Sequence, residues 1–432
     1  MASAEEYEHA PVPTTARKSL LSVAAVWFGF PMNLGNAVFG GVIVYNLGLV
    51  QGLLAILAGN LVLFAYVGAL SHYAGRTGKN FALQAADTFG TRGRIAAAGF
   101  LATVVIGWFS FQIGLTGSTL EDTLGWNPMW GAVAGCVVYT LLTVAGIRAL
   151  AVVGMIATPL FVILAAVAIG YGTTHSSLGD AVTYQGAGSA LGFGGAVAIV
   201  IAGFSDSGTM TADFTRWSKT GRSAVAATFF AFPLSNFLAY ALGGVVVAIG
   251  GSADPAADGG GFLPLLTGHG PLLTAVAVLF VFVNLGSVAS HCLYNGAVGW
   301  SALTPLRMRP LALGLGVLGL GFALAGVWGH FVEWLNLLGV FVPPIGAVLI
   351  ADQLRRRGRA VSDVRAFRWN ALGAWAAGAV VAALAHYLLP GSPDPLFGIA
   401  VAAGVYVLTD RRTRSLEPAP EADTEPAVIP TP

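Results

Sequence analysis

Apolar residues run along the chain in long, almost uninterrupted windows, at about 20–47, 50–72, 96–119, 129–147, 149–172, 189–212, 223–250, 273–298, 311–329, 331–351, 370–389 and 394–409. A helix needs about 20 apolar residues to cross a hydrocarbon core of about 30 Å. The pattern therefore predicts an all-α integral membrane protein with twelve transmembrane helices. Polar residues sit mainly in the connections, so the few inside the windows carry most of the functional information.

Charge tests the count. With the N-terminus in the cytoplasm, the cytoplasmic segments hold Arg17 and Lys18, the four basic residues between spans two and three, Arg148, Arg216, Lys219, Arg222, Arg307, Arg309, the six between spans ten and eleven, and Arg411, Arg412 and Arg414. Together these are all 21 Lys and Arg. The other loops carry Glu121, Asp122, Asp180, Asp254, Asp258, Glu333 and Asp394 and no basic residue. A miscounted span would scatter basic residues on both sides, so the positive-inside rule supports twelve spans with both termini cytoplasmic. A plasma-membrane location is expected.

Composition narrows the function classes. Only 9% of residues are charged, 56% are hydrophobic and the mean hydropathy is +0.76. A net charge of +1 argues against a nucleic-acid partner, which would require a concentrated basic surface. The two cysteines, Cys136 and Cys292, lie in apolar windows and read as core residues, not a disulfide. Glu5, Glu6 and Glu8 precede Arg17 and Lys18, and no clear small-residue cleavage site follows, so the first window reads as a retained span. Residues 78–94 are basic and amphipathic and predict a helix or hairpin between spans two and three; Glu417–Pro432 reads as a disordered tail. Gly, at 58 residues, has about twice its usual share, as close helix packing in lipid would require.

Two windows carry helix-breaking runs at mid-membrane depth: Gly29-Phe30-Pro31-Met32-Asn33-Leu34-Gly35-Asn36 in span one and Gly203-Phe204-Ser205-Asp206-Ser207-Gly208 in span six. Free backbone groups are tolerated in a membrane only where they are buried in protein or line a cavity. If residues 20–172 form one five-helix repeat and 189–351 a second, inverted one, each break falls in the first helix of its repeat. Broken helices at corresponding positions of inverted halves point to a midplane binding site in a secondary transporter. Residues 1–19 would then be an N-terminal tail, 370–409 two accessory helices and 410–432 a C-terminal tail.

Candidate site residues cluster near these runs. Asp206 is the only acidic residue deep in a span. It reads either as a functional carboxylate or as an N-cap, shared with Ser207, for a half-helix beginning near Gly208. Trp108 and Gln112 are one turn apart on span three. An indole plane can stack on a flat heterocycle, and an amide can both donate to and accept from ring N–H and C=O groups; packing and an interhelical hydrogen bond are the structural alternatives. Phe204 would supply a second face, with Ser205 beside it. On span eight, Asn284, Ser287 and His291, followed by Asn295, make a polar stripe at helical spacing. Carbonyls of the first break together with Asn284 and Ser287 suit a small hard cation such as Na+. Alternatively Asp206 and His291 could carry a proton, His291 being equally readable as a neutral, satisfied histidine. Pro343-Pro344 in span ten marks a kink.

These features resemble the nucleobase–cation symporters, the cytosine, purine, uracil, allantoin and hydantoin carriers, and most closely the bacterial cytosine permeases. The resemblance runs from about Val12 to Asp410 through Val12-Pro13 with Ala16-Arg17-Lys18, Gly59-Asn60, Gly107-Trp108-Phe109, Gly208-Thr209, Thr211-Ala212-Asp213-Phe214 with Arg216, Leu293-Tyr294, and Pro343-Pro344 with Gly346 and Ala351-Asp352. It implies a LeuT-like fold working by alternating access and a small planar nitrogen heterocycle imported with Na+ or H+. It further implies that Trp108 and Phe204 are the opposing aromatics, that Gln112 corresponds to a glutamine of the hydantoin and allantoin branch, and that main-chain carbonyls at Gly29 and Met32 belong to the cation site with Asn284, Ser287 and Val288. Where cytosine permeases carry Thr-Thr-Asn-Asp-Asn on span eight, this chain has Ser287-Val288-Ala289-Ser290-His291, and Asp206 replaces a serine. Both ions therefore stay open. Beside the stacking site a carboxylate suits aminopyrimidines, purines or vitamin-related pyrimidines, with a hydantoin, allantoin or hydroxymethylpyrimidine-type carrier as the alternative. An enzyme is not expected: the seven histidines, at 9, 72, 175, 269, 291, 330 and 386, are scattered, without the pairing a catalytic metal needs. Nor is a channel filter visible. No cofactor is expected beyond Na+ as a coupling ion.

Overall fold

The computed structural model describes residues 6–173, 178–252, 254–256, 259–267, 269–326, 331–356 and 365–410. The C-terminal tail from 411, together with Arg357, Arg359, Asp258, His175 and His330, lies outside them. The first window is a pair, α1 (Leu20–Gly29) and α2 (Leu34–Leu47), bent by 58° at the break. Then follow α3 (Leu49–Thr77), α4 (Phe81–Phe89), α5 (Gly93–Leu124), α6 (Pro128–Ala145), α7 (Ile147–Gly172) and α8 (Leu178–Thr183). The second half holds α9 (Phe193–Thr209), α10 (Ala212–Thr215), α11 (Gly221–Phe229), a π-helical stretch Phe230–Asn236 running into α12 (Phe237–Ala248), α13 (Pro271–Leu303), α14 (Met308–Leu324), α15 (Phe331–Phe341) and α16 (Pro343–Arg356). Last come α17 (Trp369–Leu388) and α18 (Asp394–Thr409).

Each predicted window holds helix. By length and composition, eight helices among the described residues can cross a membrane, nine with the bent pair, and the three remaining windows hold the shorter apolar helices α9, α14 and α18. The basic 78–94 stretch contains α4, begun by Asn80, whose side chain accepts Leu83 N–H at 2.9 Å after α3 has ended on Gly78 in the left-handed region.

Packing repeats itself under exchange of the first five spans with the next five. The first half of span one, α1, lies on α7 as α9 of span six lies on α15; α2 lies on α12 as α9 lies on α3; α5 with α6 matches α13 with α14; and α5 and α13 pack on each other. Small residues permit the closest approaches. A side chain on Gly40 of α2 would run into the backbone of Tyr240 on α12, and one on Gly243 into Ala37, so these two helices meet backbone to backbone.

The two breaking runs behave differently. In span one the break is real and covers Phe30–Asn33, because Pro31 has no N–H to continue the ladder. In span six, α9 runs straight through Gly203–Gly208 and ends only at Thr209, with Met210 and Thr211 separating it from α10. The interruption of span six therefore falls at Met210–Thr211 and not at the expected Gly203–Gly208, and the N-cap reading of Asp206 is removed, since Asp206 lies in the last helical turn with its carbonyl accepting Met210 N–H at 2.9 Å. The physical reason is that this run has no proline. Glycine weakens a helix by only about 1 kcal/mol, and neither Gly203 nor Gly208 adopts a positive φ.

Candidate functional site

The break in span one is built from amides. Asn33 caps α2: its Oδ1 accepts Asn36 N–H at 3.1 Å, and its Nδ2 donates to the carbonyls of Phe30 (3.3 Å) and Pro31 (3.2 Å). Asn36 Nδ2 donates to Pro31 O at 2.6 Å and to Asn236 Oδ1 at 2.9 Å. Asn236 Nδ2 in turn donates to Asn60 Oδ1 at 2.9 Å, and Asn60 Nδ2 to Ile56 O at 2.9 Å. From span eight, Asn284 staples the two ends, its Nδ2 donating to Met32 O at 2.7 Å and its Oδ1 accepting Leu34 N–H at 2.9 Å. Backbone freed by Pro31 is thus satisfied by side chains inside the bundle, as apolar surroundings demand.

Against this break lies a cavity bounded by four segments: Phe30, Asn33 and Asn36 of span one; Trp108 and Gln112 of α5; Phe204 and Ser207 of α9; and Val288 and Cys292 of α13. Its volume is about 10 Å³, room for about one water. A heterocycle enters only as the lining moves. Phe30 meets Phe204 edge-on at 5.3 Å, and Trp108 meets Trp334 of α15 at 5.4 Å and Phe111 at 6.0 Å. The aromatic walls are therefore held by further aromatic contacts.

On the far wall the amide of Gln112 lacks the partners that the span-one amides have. Gln112 is fully buried, and neither its Oε1 nor its Nε2 makes a hydrogen bond among the described residues. Ser207 Oγ, also buried, lies within reach of the Asp206 carboxylate and the Cys292 thiol. Asp206 is fully buried beside it; its Oδ1 accepts Ser207 N–H at 2.6 Å and the carboxylate interacts with the Trp108 indole. Buried polar atoms without partners are rare in folded proteins, and they mark places where a ligand, a water or an ion belongs.

The other sequence-predicted residues are distributed around this cavity without lining it. Ser205 faces away, donating to Ala202 O at 3.2 Å and lining a separate crevice with Tyr66 and Pro343. His291 stacks on Phe30 at 4.8 Å and 13°, behind the cavity wall. Its Nδ1 lies 2.5 Å from Ser287 O; a carbonyl can only accept, so Nδ1 carries a proton and, in the neutral ring, Nε2 is left with a lone pair and no partner among the described residues. Asn295, one turn further, is buried with both polar atoms unpartnered among the described residues. Of the cation candidates, the carbonyl of Met32 accepts from Asn284 Nδ2 and Asn284 Oδ1 accepts from Leu34 N–H across the break, Ser287 Oγ has no partner among the described residues, and Gly29 packs at the end of α1 against Gly154 of α7. Among the described residues no group of three His, Cys, Asp or Glu side chains is placed to hold a metal.

Comparison with known proteins gives the family. A profile described as "Permease for cytosine/purines, uracil, thiamine, allantoin" matches residues 11–409. The chain belongs to this permease family. The cytosine permease of Escherichia coli (strain K12) is 29% identical over 396 residues, covering 90% of this chain and 91% of that protein, and the cytosine permease of Escherichia coli O157:H7 matches equally well. Among solved structures, Mhp1, a nucleobase-cation-symport-1 family transporter in a closed conformation with bromovinylhydantoin bound, superposes with a TM-score of 0.78 at 20% identity, covering 93% of this chain and 94% of that one. A Na+-coupled sialic acid symporter in a substrate-bound outward-open state superposes with a TM-score of 0.69 at 12% identity, covering 96% and 94%. The fold is LeuT-like, and the chain is a multi-pass membrane transporter.

In this permease, sequence reasoning missed the ladder Asn36–Asn236–Asn60 as a unit, along with Ser207, Cys292 and Trp334. Asparagine inside apolar windows was the available signal. In span one it reads as a helix breaker, whereas in the structure Asn33 and Asn36 repair the break and line the cavity.

Proposed function

We propose that this permease imports a small planar nitrogen heterocycle, a nucleobase such as cytosine or a purine, together with Na+ or H+, by alternating access in the plasma membrane with both termini in the cytoplasm. The observation that carries the proposal is the convergence, on one cavity beside a helix break, of two aromatic side chains, Trp108 and Phe204, and the unpartnered amide of Gln112. A flat ring slid between the aromatics gains stacking, while its N–H and C=O groups satisfy Gln112 and Ser207. Asp206, one residue from Ser207, favours substrates with additional N–H donors. Because Gln112 presents both a donor and an acceptor, hydantoin, allantoin or a hydroxymethylpyrimidine-type precursor is the second reading.

Uptake of labelled cytosine, adenine, uracil, hydantoin and allantoin by cells lacking their own carriers tests the proposal. Accumulation of one or more is expected, and absence of all five, while an unrelated amino acid accumulates, overturns it. The ion is decided in the same cells. Removing Na+ at constant pH abolishes uptake if Ser287 and the carbonyls near Asn284 hold sodium. Uptake indifferent to Na+ but abolished by a protonophore assigns the coupling to a proton on Asp206 or His291.

A further inference from the structure

A second and larger cavity, about 300 Å³, lies where the N-terminal segment meets the first turns of α1 and α7. Val23 and Val26 of α1 and Ala151 and Val152 of α7 give it aliphatic walls, and Lys18 and Arg148 stand at its rim with Trp217. Lys18 is fixed there by its backbone, which donates to Trp217 O at 2.7 Å, and its Nζ lies 5.4 Å from the centre of the Trp217 ring. Neither Lys18 nor Arg148 pairs with a carboxylate among the described residues. The carboxylate of Glu6, which lies against Gly146 at the head of α7, accepts a hydrogen bond from Tyr294 Oη at 2.7 Å. Trp217 is only 5% exposed, yet its indole N–H has no acceptor among the described residues. Val152 is 51% exposed, so this cavity opens along the outer surface of α7, where lipid chains run.

Aliphatic walls leading to two unpaired cations and a buried N–H donor complement an amphiphile with an anionic head. A free inorganic anion would satisfy the rim and leave the walls unfilled. Zwitterionic lipid would fill the walls but bring its own cation to the rim. We infer that this cavity binds an anionic phospholipid, its phosphate between Lys18 and Arg148 and one acyl chain along Val23, Val26, Ala151 and Val152. The occupant grips α1 below its break and α7 together. It is separate from the transport cavity, so its fate does not depend on which heterocycle is carried.

The full-length protein, purified in a non-ionic detergent, is titrated with dioleoyl-phosphatidylglycerol or dioleoyl-phosphatidylcholine and read by native mass spectrometry and thermal shift. Phosphatidylglycerol is expected to bind at least tenfold more tightly than phosphatidylcholine, and the double variant Lys18→Gln/Arg148→Gln to lose that preference. Ala151→Phe, which keeps both charges but fills the walls, is expected to lose at least tenfold as well. Trp217→Phe, which removes the donor and keeps a smaller aromatic face under Lys18, is expected to lose about threefold. Arg222→Gln, an exposed basic residue outside the cavity, serves as the control and should bind as the parent does. Equal binding of the two lipids, an unimpaired double variant, or an Arg222→Gln loss as large as the double variant's overturns the site in favour of diffuse charge. Displacement of the lipid by millimolar inorganic phosphate overturns it in favour of a simple anion site. Should the double variant fail to fold, Ala151→Phe and Trp217→Phe decide by the same criteria.

Discussion

Around the break in span one, the side-chain amides of Asn33, Asn36, Asn60, Asn236 and Asn284 all have partners, each other or freed backbone groups. Across the cavity, the amide of Gln112 is just as buried and has none among the described residues. Both regions place polar atoms at mid-membrane depth, where an unsatisfied group costs about 1–3 kcal/mol. The first region recovers that energy within the protein and thereby fixes a bent backbone. The second leaves it uncompensated, so that a bound molecule supplying donors and acceptors recovers it. One amide set is architecture, the other is recognition, and substitutions should separate them.

The largest effect is expected at Asn284. Replacing Asn284 with Leu strands both Met32 O and Leu34 N–H in a dry interior, a loss of about 2–6 kcal/mol if each buried group contributes about 1–3 kcal/mol. Thermal unfolding in detergent should show a large drop in midpoint, with transport lost along with the fold. A midpoint equal to the parent's would break the comparison, because the break would then be holding itself together without this staple.

Asp206 comes next and sharpens the other side. Asp206→Asn keeps the shape and the acceptor for Ser207 N–H but removes the ability to release a proton. If the proton is the coupling ion, accumulation against a gradient should fall to equilibration, while heterocycle binding persists in a thermal-shift assay. Normal concentrative uptake by this variant assigns coupling elsewhere. For Trp108, the stacking contribution of about 1–3 kcal/mol per ring corresponds to about 5- to 150-fold in affinity. Trp108→Ala should lose ligand-induced stabilisation, and Trp108→Phe, which keeps a smaller ring, should retain part of it. Undiminished stabilisation in Trp108→Ala would remove it from the site.

Much of this could be read from sequence, for reasons that differ by residue. The twelve apolar windows are legible because lipid demands long apolar runs, and each contains helix. The break at Pro31 is legible because proline lacks the N–H that a helix requires. The expected break at Gly203–Gly208 was misplaced because glycine and serine only permit a break, and burial kept α9 helical to Thr209. Trp108, Gln112 and Phe204 are legible from spacing and resemblance, and they share a cavity. Adjacency to Phe204 alone points to Ser205, and helical geometry turns it to another face. The Asn36–Asn236–Asn60 ladder was not legible as such, since Asn36 and Asn236 stand 200 positions apart and only the fold brings them to 2.9 Å.

The smallest effect, and the most discriminating, is expected at Gln112. In the amide ladder any Asn-to-Leu change leaves a former partner stranded. Gln112 has no partner among the described residues to strand. Gln112→Leu therefore removes two buried, unsatisfied groups and adds apolar surface of similar volume, so the unliganded protein should be as stable as the parent or more so, by about 1 kcal/mol. The same change should weaken heterocycle binding by about tenfold, because a ring N–H or C=O that Gln112 would meet is then itself left unpaired, at about 1.4 kcal/mol per tenfold. Stability and affinity thus move in opposite directions at one residue, whereas at Asn284 they fall together. Joint loss of both in Gln112→Leu would mean that Gln112 is another strut of the bundle, and the division between built and receptive amides would not hold.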